Sequence, residues 1–190
     1  MGNQPNQTVK SVLIQKARLM NPADNQDRIS DVLIENGHIA KIGIDIKSPD
    51  ADIVNGEGYW LLPGLIDMHV HLREPGYEGK ETIASGTRAA AASGITSLVC
   101  MGNTLPAVDN KTGVDFILER VTRSGVVRVY PAGTITKGME GKELAPIGEM
   151  VEAGAVAIND ELGIMDSQVM RRAMEYSTIF GIPVLSHAED

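Results

Sequence analysis

The pattern of apolar and polar positions changes at Pro63, and each side of that residue predicts a different kind of structure. Before Pro63, short apolar runs alternate with polar residues at the period of two that is typical of β-strands. Asn36-Gly37 lies between alternating apolar residues and predicts a hairpin over Asp31 to Ile44. A polar loop is expected from Asn21 to Arg28. The other predicted strands are 12–19, 53–54 and 59–62, so residues 1–62 form a small β part.

After Pro63, strand-like runs alternate with amphipathic helical segments. This alternation is typical of a parallel sheet, either open or closed into a (β/α)8 barrel. No glycine-rich nucleotide-binding fingerprint follows any of the strands. A TIM barrel has eight strands and this part predicts five, so residues 63–190 are expected to be the first half of a barrel. The predicted strands are 65–70, 96–101, 127–130, 155–158 and 183–186, and the helices are 80–92, 112–123, 147–152 and 167–179.

The stretch from Leu61 to Gly76 carries the first candidate for chemistry. His69 and His71 occupy alternate positions at the carboxyl end of a predicted strand, so their imidazoles should project from the same face. Two neighbouring imidazoles suit a divalent metal ion. Arg73 follows two residues later, and its guanidinium can hold a carboxylate or a phosphate. Taken alone, a H-x-H pair fits ordinary core or surface histidines as well as a metal site.

Other predicted strands also end in polar residues, and barrel enzymes carry their chemistry at this rim. The second strand ends near Asn103, the fourth near Asp160 and Glu161, and the fifth near His187. Three of the four histidines therefore lie at one rim, which scattered surface histidines would rarely do. Asp160 can bridge two ions because a carboxylate has two oxygens. The predicted metal site combines the two histidines of the first strand with Asp160 and His187.

The composition of the chain argues against some classes of binding partner. A net charge of −8 and a pI near 5.0 argue against nucleic acid and against anionic membranes. Cys100, the single cysteine, lies in an apolar run and is predicted to be a buried, inert thiol. The N-terminus lacks the apolar segment of a signal peptide, and no run reaches transmembrane length. We therefore expect a soluble cytoplasmic protein.

The chain resembles the amidohydrolase superfamily, and most closely the bacterial-type dihydroorotases, in the segments PGLIDMHVHLREPG and GKETIASGTRAAAASGITSLVCMGNTLP. The resemblance runs from about Val12 to the end of the chain. It implies a (β/α)8 barrel with a small β-sandwich, to which residues 1–62 would contribute strands. It also implies one or two zinc ions and the reversible cyclisation of N-carbamoyl-L-aspartate to (S)-dihydroorotate in de novo pyrimidine biosynthesis.

The resemblance assigns roles to the positions that match the family's motifs. These positions are His69, His71 and His187 for zinc ligands, Asp160 for the bridging carboxylate, and Arg73 and Asn103 for the substrate carboxylate. Two positions depart from the usual pattern. Gly102 replaces a proline, which leaves the Asn103 loop freer. An Asp-Asp-Gly sequence becomes Asp160-Glu161-Leu162-Gly163, which makes Glu161 the second choice for the bridging ligand.

Two rival interpretations stay open. Hydantoinases, dihydropyrimidinases and allantoinases share the fold and the H-x-H pair but typically bridge their metals with a carbamylated lysine at strand four. The segment from Ala155 to Gly163 contains no lysine, which favours the dihydroorotase group. The other rival is a non-catalytic dihydroorotase-like subunit that scaffolds aspartate transcarbamoylase. Such proteins tend to lose metal ligands, and all four are present here. Aspartate transcarbamoylase and a second copy of the chain are accordingly the candidate macromolecular partners.

The predicted barrel stops at its fifth strand. A free-standing sheet that ends there would leave an edge and an apolar wall uncovered, so a fragment or a split protein is expected. In the family, the general acid/base is an aspartate at the eighth strand, and the sixth strand supplies a further histidine. Both would lie beyond Asp190, so no catalytic acid/base is predicted within these residues.

Overall fold

The computed structural model describes residues 11–161 and 166–186. The chain divides into two compact units, Met1–Pro63 and Gly64–Asp190, and each is described by itself. The first unit contains a mixed sheet of antiparallel and parallel pairs, and the second alternates parallel strands with helices. This arrangement confirms the predicted α/β class.

The first unit contains a five-stranded sheet. Its strands are β1 (Val12–Asn21), β2 (Gln26–Glu35), β3 (His38–Gly43), β4 (Asp52–Asn55) and β5 (Trp60–Leu61). The order is β3-β2-β1-β4, with β5 also paired to β1. Neighbours β1, β2 and β3 are antiparallel, whereas β4 and β5 run parallel to β1. The apolar side chains Leu13, Leu33 and Ile46 form the core of this unit.

The connection between β1 and β2 is shorter than the predicted loop from Asn21 to Arg28. A single 3-10 turn, Pro22–Asp24, makes the reversal. The Asn21 side chain accepts a hydrogen bond from the Ala23 N–H at 3.2 Å, and Asn25 adopts a left-handed conformation with φ 51°. Pairing therefore resumes at once, with Gln26 opposite Asn21.

The second unit has five parallel strands that pair in chain order. Its elements are β6 (Leu65–Val70), α1 (Ile83–Ala92), β7 (Ile95–Cys100), α2 (Lys111–Ser124), β8 (Arg128–Gly133), α3 (Ile147–Ala153), β9 (Ala157–Asp160), α4 (Ser167–Phe180) and β10 (Val184–Ser186). A helix lies between each strand and the next. This is the repeating unit of a (β/α)8 barrel, with five of its strands described.

Short polar side chains determine where three of the helices begin. Thr82 and Ser85 form a reciprocal capping box at the start of α1, while Asn110 caps α2 and Asp166 caps α4. Helix α1 therefore begins at Ile83 and not at residue 80, because Thr82 has the extended backbone of a cap.

The parallel sheet is buried on both faces over its central strands. One cluster joins the sheet to the helices, and its fully buried members include Ile83, Leu98, Val114, Ile117, Ile147 and Met150. A smaller cluster on the opposite face contains Val99, Met101, Ala132 and Ala157. Adjacent residues Leu98 and Val99 belong to different clusters, so β7 is covered on both sides, as is usual for parallel strands.

Strand β6 lies at one end of the strand order and pairs only with β7 within the described part of the chain. Its side chains Ile66 and Met68 are 65% and 59% exposed. The described residues thus leave part of this apolar strand uncovered. None of the helices in residues 11–161 and 166–186 is both long enough and apolar enough to cross a membrane.

Candidate metal centre

The carboxyl end of β6 places two imidazoles next to each other. The ring centroids of His69 and His71 lie 5.1 Å apart in an edge-to-face arrangement. Val70, between them, packs against the apolar cluster that joins sheet and helices. The side chains thus alternate as they do in any strand. The His69 N–H also donates to the Asp67 Oδ1 at 3.1 Å, which helps to fix the backbone at this strand end.

Glu161, the residue after β9, brings a carboxylate to both imidazoles. Its Oε1 lies 3.3 Å from His71 Nε2, and its Oε2 lies 3.5 Å from His69 Nε2. One ligand atom from each of the three residues lies within 4.8 Å of the others. Strands β6 and β9 are three positions apart in the strand order of the sheet. In a flat sheet this would separate the two strands by ~14 Å. The sheet must therefore curl toward this face, as it does in a barrel.

The donor set of this cluster suits a divalent cation. Glu161 Oε2 is buried and has no hydrogen-bond partner among the described residues. A buried carboxylate oxygen without a partner is costly, so an opposite charge is expected beside it. Imidazole nitrogens and carboxylate oxygens are common zinc ligands, and a cation among these three side chains would compensate the charge.

Asp160, the carboxylate ligand predicted from the sequence, is not among the three residues that converge. Its Oδ1 accepts hydrogen bonds from the Ile135 and Thr136 N–H groups at 2.8 and 3.2 Å, and its Oδ2 accepts one from the Thr136 hydroxyl. Burial raises the pKa of the Asp160 carboxyl, and the hydrogen bonds from Thr136 and Ile135 act in the opposite direction. Asp160 is thus hydrogen-bonded to the segment after β8. Glu161, which the sequence offered as the second candidate for the bridging ligand, faces the histidines instead.

Asn103 lies in the loop after β7 and contacts a histidine. Its Oδ1 is 2.9 Å from His71 Nδ1, on the ring nitrogen that does not face Glu161. The family resemblance implies a place for Asn103 at the substrate, and its contact with His71 was not predicted. The signal available in the sequence was that both residues follow neighbouring parallel strands, whose carboxyl ends lie side by side.

Arg73 follows the histidines in a left-handed conformation, with φ 61°. A positive φ is unfavourable for arginine and is typical of functional segments. The acidic neighbours are engaged elsewhere: Glu74 pairs with Arg120 at 3.1 Å, and Glu78 accepts from the Gly76 N–H at 3.0 Å. In the part of the chain that the structure describes, the Arg73 guanidinium therefore has no ion-pair partner.

The fifth-strand ligand predicted from the sequence, His187, lies outside the described residues, which end at 186. Strand β10 leads to it, and the last residue of that strand, Ser186, pairs with Asp160 of β9. The role of His187 stays a prediction.

Cys100 is buried, and burial raises the pKa of its thiol to about 12. The thiol is therefore protonated at neutral pH and is neither a nucleophile nor a metal ligand there. This agrees with the expectation of an inert core cysteine.

Solved structures share this fold. The L-hydantoinase (dihydropyrimidinase) from Arthrobacter aurescens superimposes with a TM-score of 0.81 at 20% identity, over 96% of this chain and 41% of that one. A dihydroorotase crystal structure superimposes with a TM-score of 0.64 at 15% identity, over 95% of this chain and 52% of that one. At these identities the likeness shows a shared fold alone.

Residues 58–190 match the family described as dihydro-orotase-like, and the chain belongs to that family. A protein named dihydroorotase from Syntrophotalea carbinolica is 48% identical over 180 residues, which are 94% of this chain and 42% of the relative. The protein of the same name from Aquifex aeolicus is 45% identical over 180 residues, 94% of this chain and 43% of the relative. The chain thus spans less than half the length of these relatives.

Proposed function

We propose that the protein carrying this chain is a zinc-dependent dihydroorotase, which interconverts N-carbamoyl-L-aspartate and (S)-dihydroorotate. The observation that carries this proposal is the convergence of His69, His71 and Glu161 at one rim of the parallel sheet. Membership of the dihydro-orotase-like family and the names of the relatives support the choice of substrate. A role in de novo pyrimidine biosynthesis is part of the same proposal.

In this proposal, His69, His71 and Glu161 would hold the zinc, since one ligand atom of each lies within 4.8 Å of the others. His187 completes the set as predicted from the family resemblance. Each Glu161 oxygen lies near a different histidine, which is compatible with one ion or two. Bound zinc polarises a carbonyl and makes water more acidic.

The residues beside the metal site would hold the substrate in place. Arg73 leaves the same strand end as the histidines, and its guanidinium has no ion pair with a described residue, so it is available for the substrate carboxylate. The Asn103 side-chain nitrogen, which makes no hydrogen bond to a described residue, is available for the same group. The catalytic aspartate beyond Asp190 stays a prediction.

The rival functions are less well supported. Ala155 to Glu161 contains no lysine that could be carbamylated, and a carboxylate occupies the position facing the histidines. That argues against a hydantoinase or an allantoinase. The intact histidine and carboxylate cluster argues against a subunit that only scaffolds aspartate transcarbamoylase. Aspartate transcarbamoylase and a second copy of the chain as partners, and a cytoplasmic location, stay predictions.

The test is a comparison of the purified protein with its His69→Ala/His71→Ala double variant. We expect zinc in the protein by elemental analysis and ring opening of dihydroorotate, with both lost in the variant. A protein that opens hydantoin or allantoin faster than dihydroorotate would replace this proposal with the rival enzyme class. Equal zinc contents in both forms would overturn the metal site.

A further inference from the structure

The contact between Asn103 and His71 determines which nitrogen of the imidazole carries the proton. A side-chain amide oxygen can only accept a hydrogen bond, so His71 Nδ1, at 2.9 Å from Asn103 Oδ1, must donate. A neutral imidazole carries one proton. His71 Nε2 is then left with a lone pair, and it faces Glu161 Oε1 at 3.3 Å. A lone pair beside a carboxylate oxygen is repulsive unless a cation lies between them.

We infer that Asn103 is a positioning residue, whose Oδ1 holds His71 in the tautomer and orientation that present Nε2 to a metal ion. This inference rests on the proposed metal site and extends it to the second nitrogen of the ring. Metal-binding histidines commonly donate their other N–H to a carboxylate or carbonyl oxygen, which fixes the ring and raises its basicity. Here a side-chain amide supplies that oxygen.

Hydrogen bonds within the loop around Asn103 fix its backbone, so that the Asn103 side chain can hold His71 in place. The Gly102 carbonyl accepts hydrogen bonds from the Thr104 and Val108 N–H groups at 2.9 and 3.0 Å. The Thr104 hydroxyl donates to the Pro106 carbonyl at 2.7 Å. A side chain at position 102 would lie within 3.0 Å of the Ala132 carbonyl oxygen, so a close approach to β8 adds to the constraint. These bonds compensate for the absence of a proline at this position.

The two ends of the Asn103 amide can therefore serve two partners. Oδ1 contacts His71, while Nδ2 makes no hydrogen bond to a described residue and can donate to the substrate carboxylate. Replacement by aspartate keeps an oxygen for His71 Nδ1 but removes the Nδ2 donor and adds a negative charge. Replacement by alanine removes both. The two variants thus separate the role toward the metal ligand from the role toward the substrate.

The experiment measures zinc affinity, by competition with a chromophoric chelator, for the wild-type protein, Asn103→Ala and Asn103→Asp. We expect Asn103→Ala to weaken zinc binding by about 10- to 100-fold. Asn103→Asp should bind zinc nearly as well as the wild type and show a raised KM for dihydroorotate. The matched control is Asn110→Ala, which removes the cap of α2 and should lower stability without changing zinc affinity.

A second measurement needs no metal. Long-range 15N–1H NMR of the metal-free protein at neutral pH should show a proton on His71 Nδ1, where Asn103 Oδ1 accepts it. In Asn103→Ala, His71 should shift to the tautomer that is protonated on Nε2 alone, because Glu161 is then the remaining acceptor. Wild-type zinc affinity in Asn103→Ala would overturn the inference. Asn103→Asp binding zinc as poorly as Asn103→Ala would also overturn it, and so would a wild-type His71 without a proton on Nδ1. If the wild-type protein binds no zinc, the proposed function fails, whereas the tautomer of His71 is determined independently.

Discussion

Asp160 and Glu161 are adjacent carboxylates with different surroundings, because consecutive residues at a strand end point in opposite directions. Asp160 is the last residue of β9, and its oxygens are taken up by Ile135 and Thr136. The Thr136 hydroxyl oxygen in turn accepts from the Gly141 N–H at 2.9 Å. Asp160 therefore fixes the segment after β8 and the end of β9. That anchoring holds Glu161 where its carboxylate meets the histidines.

The first prediction separates these two carboxylates. Glu161→Gln removes the negative charge that faces His69 and His71, so zinc content should fall to a small fraction of the wild-type value. Asp160→Asn keeps the shape of the side chain but places an amide N–H against the Thr136 hydroxyl. It should keep its zinc and lower the free energy of unfolding by about 1–3 kcal/mol. Elemental analysis and denaturant unfolding measure the two effects.

The opposite pattern would reverse the assignment. If Asp160→Asn loses zinc at unchanged stability and Glu161→Gln retains it, Asp160 is the ligand, as the resemblance alone implied. Each variant replaces one carboxylate oxygen by an amide NH2 group of similar size. A difference between the two variants therefore does not arise from a change in side-chain size.

The second prediction concerns the guanidinium of Arg73. Arg73→Lys keeps the positive charge but loses the planar pair of donors that binds a carboxylate through two parallel hydrogen bonds. The loss of such a contact costs about 2–3 kcal/mol, so kcat/KM for dihydroorotate should fall roughly 30- to 150-fold. Zinc content should not change. The matched control is Arg88→Lys on the exposed side of α1, which should behave as the wild type. An Arg73→Lys protein with wild-type kcat/KM would show that Arg73 does not contact the substrate.

At the scale of elements, the loop after β6 is fastened to two helices by one buried side chain. The Glu74 carboxylate accepts a hydrogen bond from the Ile83 N–H at the first turn of α1, at 3.0 Å, and pairs with Arg120 of α2 at 3.1 Å. A carboxylate at a helix N-terminus is favourable because the free N–H groups there carry partial positive charge. Glu74 thereby ties the backbone on either side of Arg73 to the helical layer.

The third prediction follows from that contact. Glu74→Ala leaves the Ile83 N–H without its acceptor and Arg120 without its partner, so thermal unfolding should occur at a lower temperature, at a cost of about 1–3 kcal/mol. Glu74→Gln keeps an acceptor for Ile83 and should lose less. Glu78→Ala, on the exposed part of the same loop, is the control and should change stability much less. Equal unfolding temperatures for Glu74→Ala and Glu78→Ala would contradict the anchoring role.

Element boundaries show where the sequence was sufficient. Strand β6 has the predicted bounds, Leu65–Val70, because an apolar run followed by polar residues and a Pro75-Gly76 turn defines both ends. The predicted loop after Asn21 was too long, because the left-handed conformation of Asn25 lets pairing resume earlier than the polar composition suggested. The structural preferences of residues along the sequence do not show which residues pair between neighbouring strands.

At the scale of the whole molecule, the candidate site depends on contacts between segments that are far apart in sequence. The repeating strands and helices predicted the parallel sheet, and the strand ends predicted a rim of polar residues. Glu161 faces the histidines, and Asp160 does not. This difference, and the hydrogen bond from His71 to Asn103, depend on the curl of the sheet and on the rotation of each strand end. A shift of one residue reverses which side chain faces the rim, and the sequence alone does not determine it.

The last prediction is that the metal ion stabilises the fold, because its ligands come from β6 and from the end of β9. An ion that binds only the folded protein adds about 2.7 kcal/mol when free zinc is 100 times its Kd. For a folded protein of about 150–250 residues that corresponds to an increase of about 5–10 °C in the unfolding temperature, and the increase is smaller for a longer one. A chelator should therefore lower the unfolding temperature of the zinc-loaded wild type by a similar amount and leave Glu161→Gln unaffected. If the chelator removes zinc, as elemental analysis would show, but the wild-type unfolding temperature stays the same, the ion does not join these two strand ends.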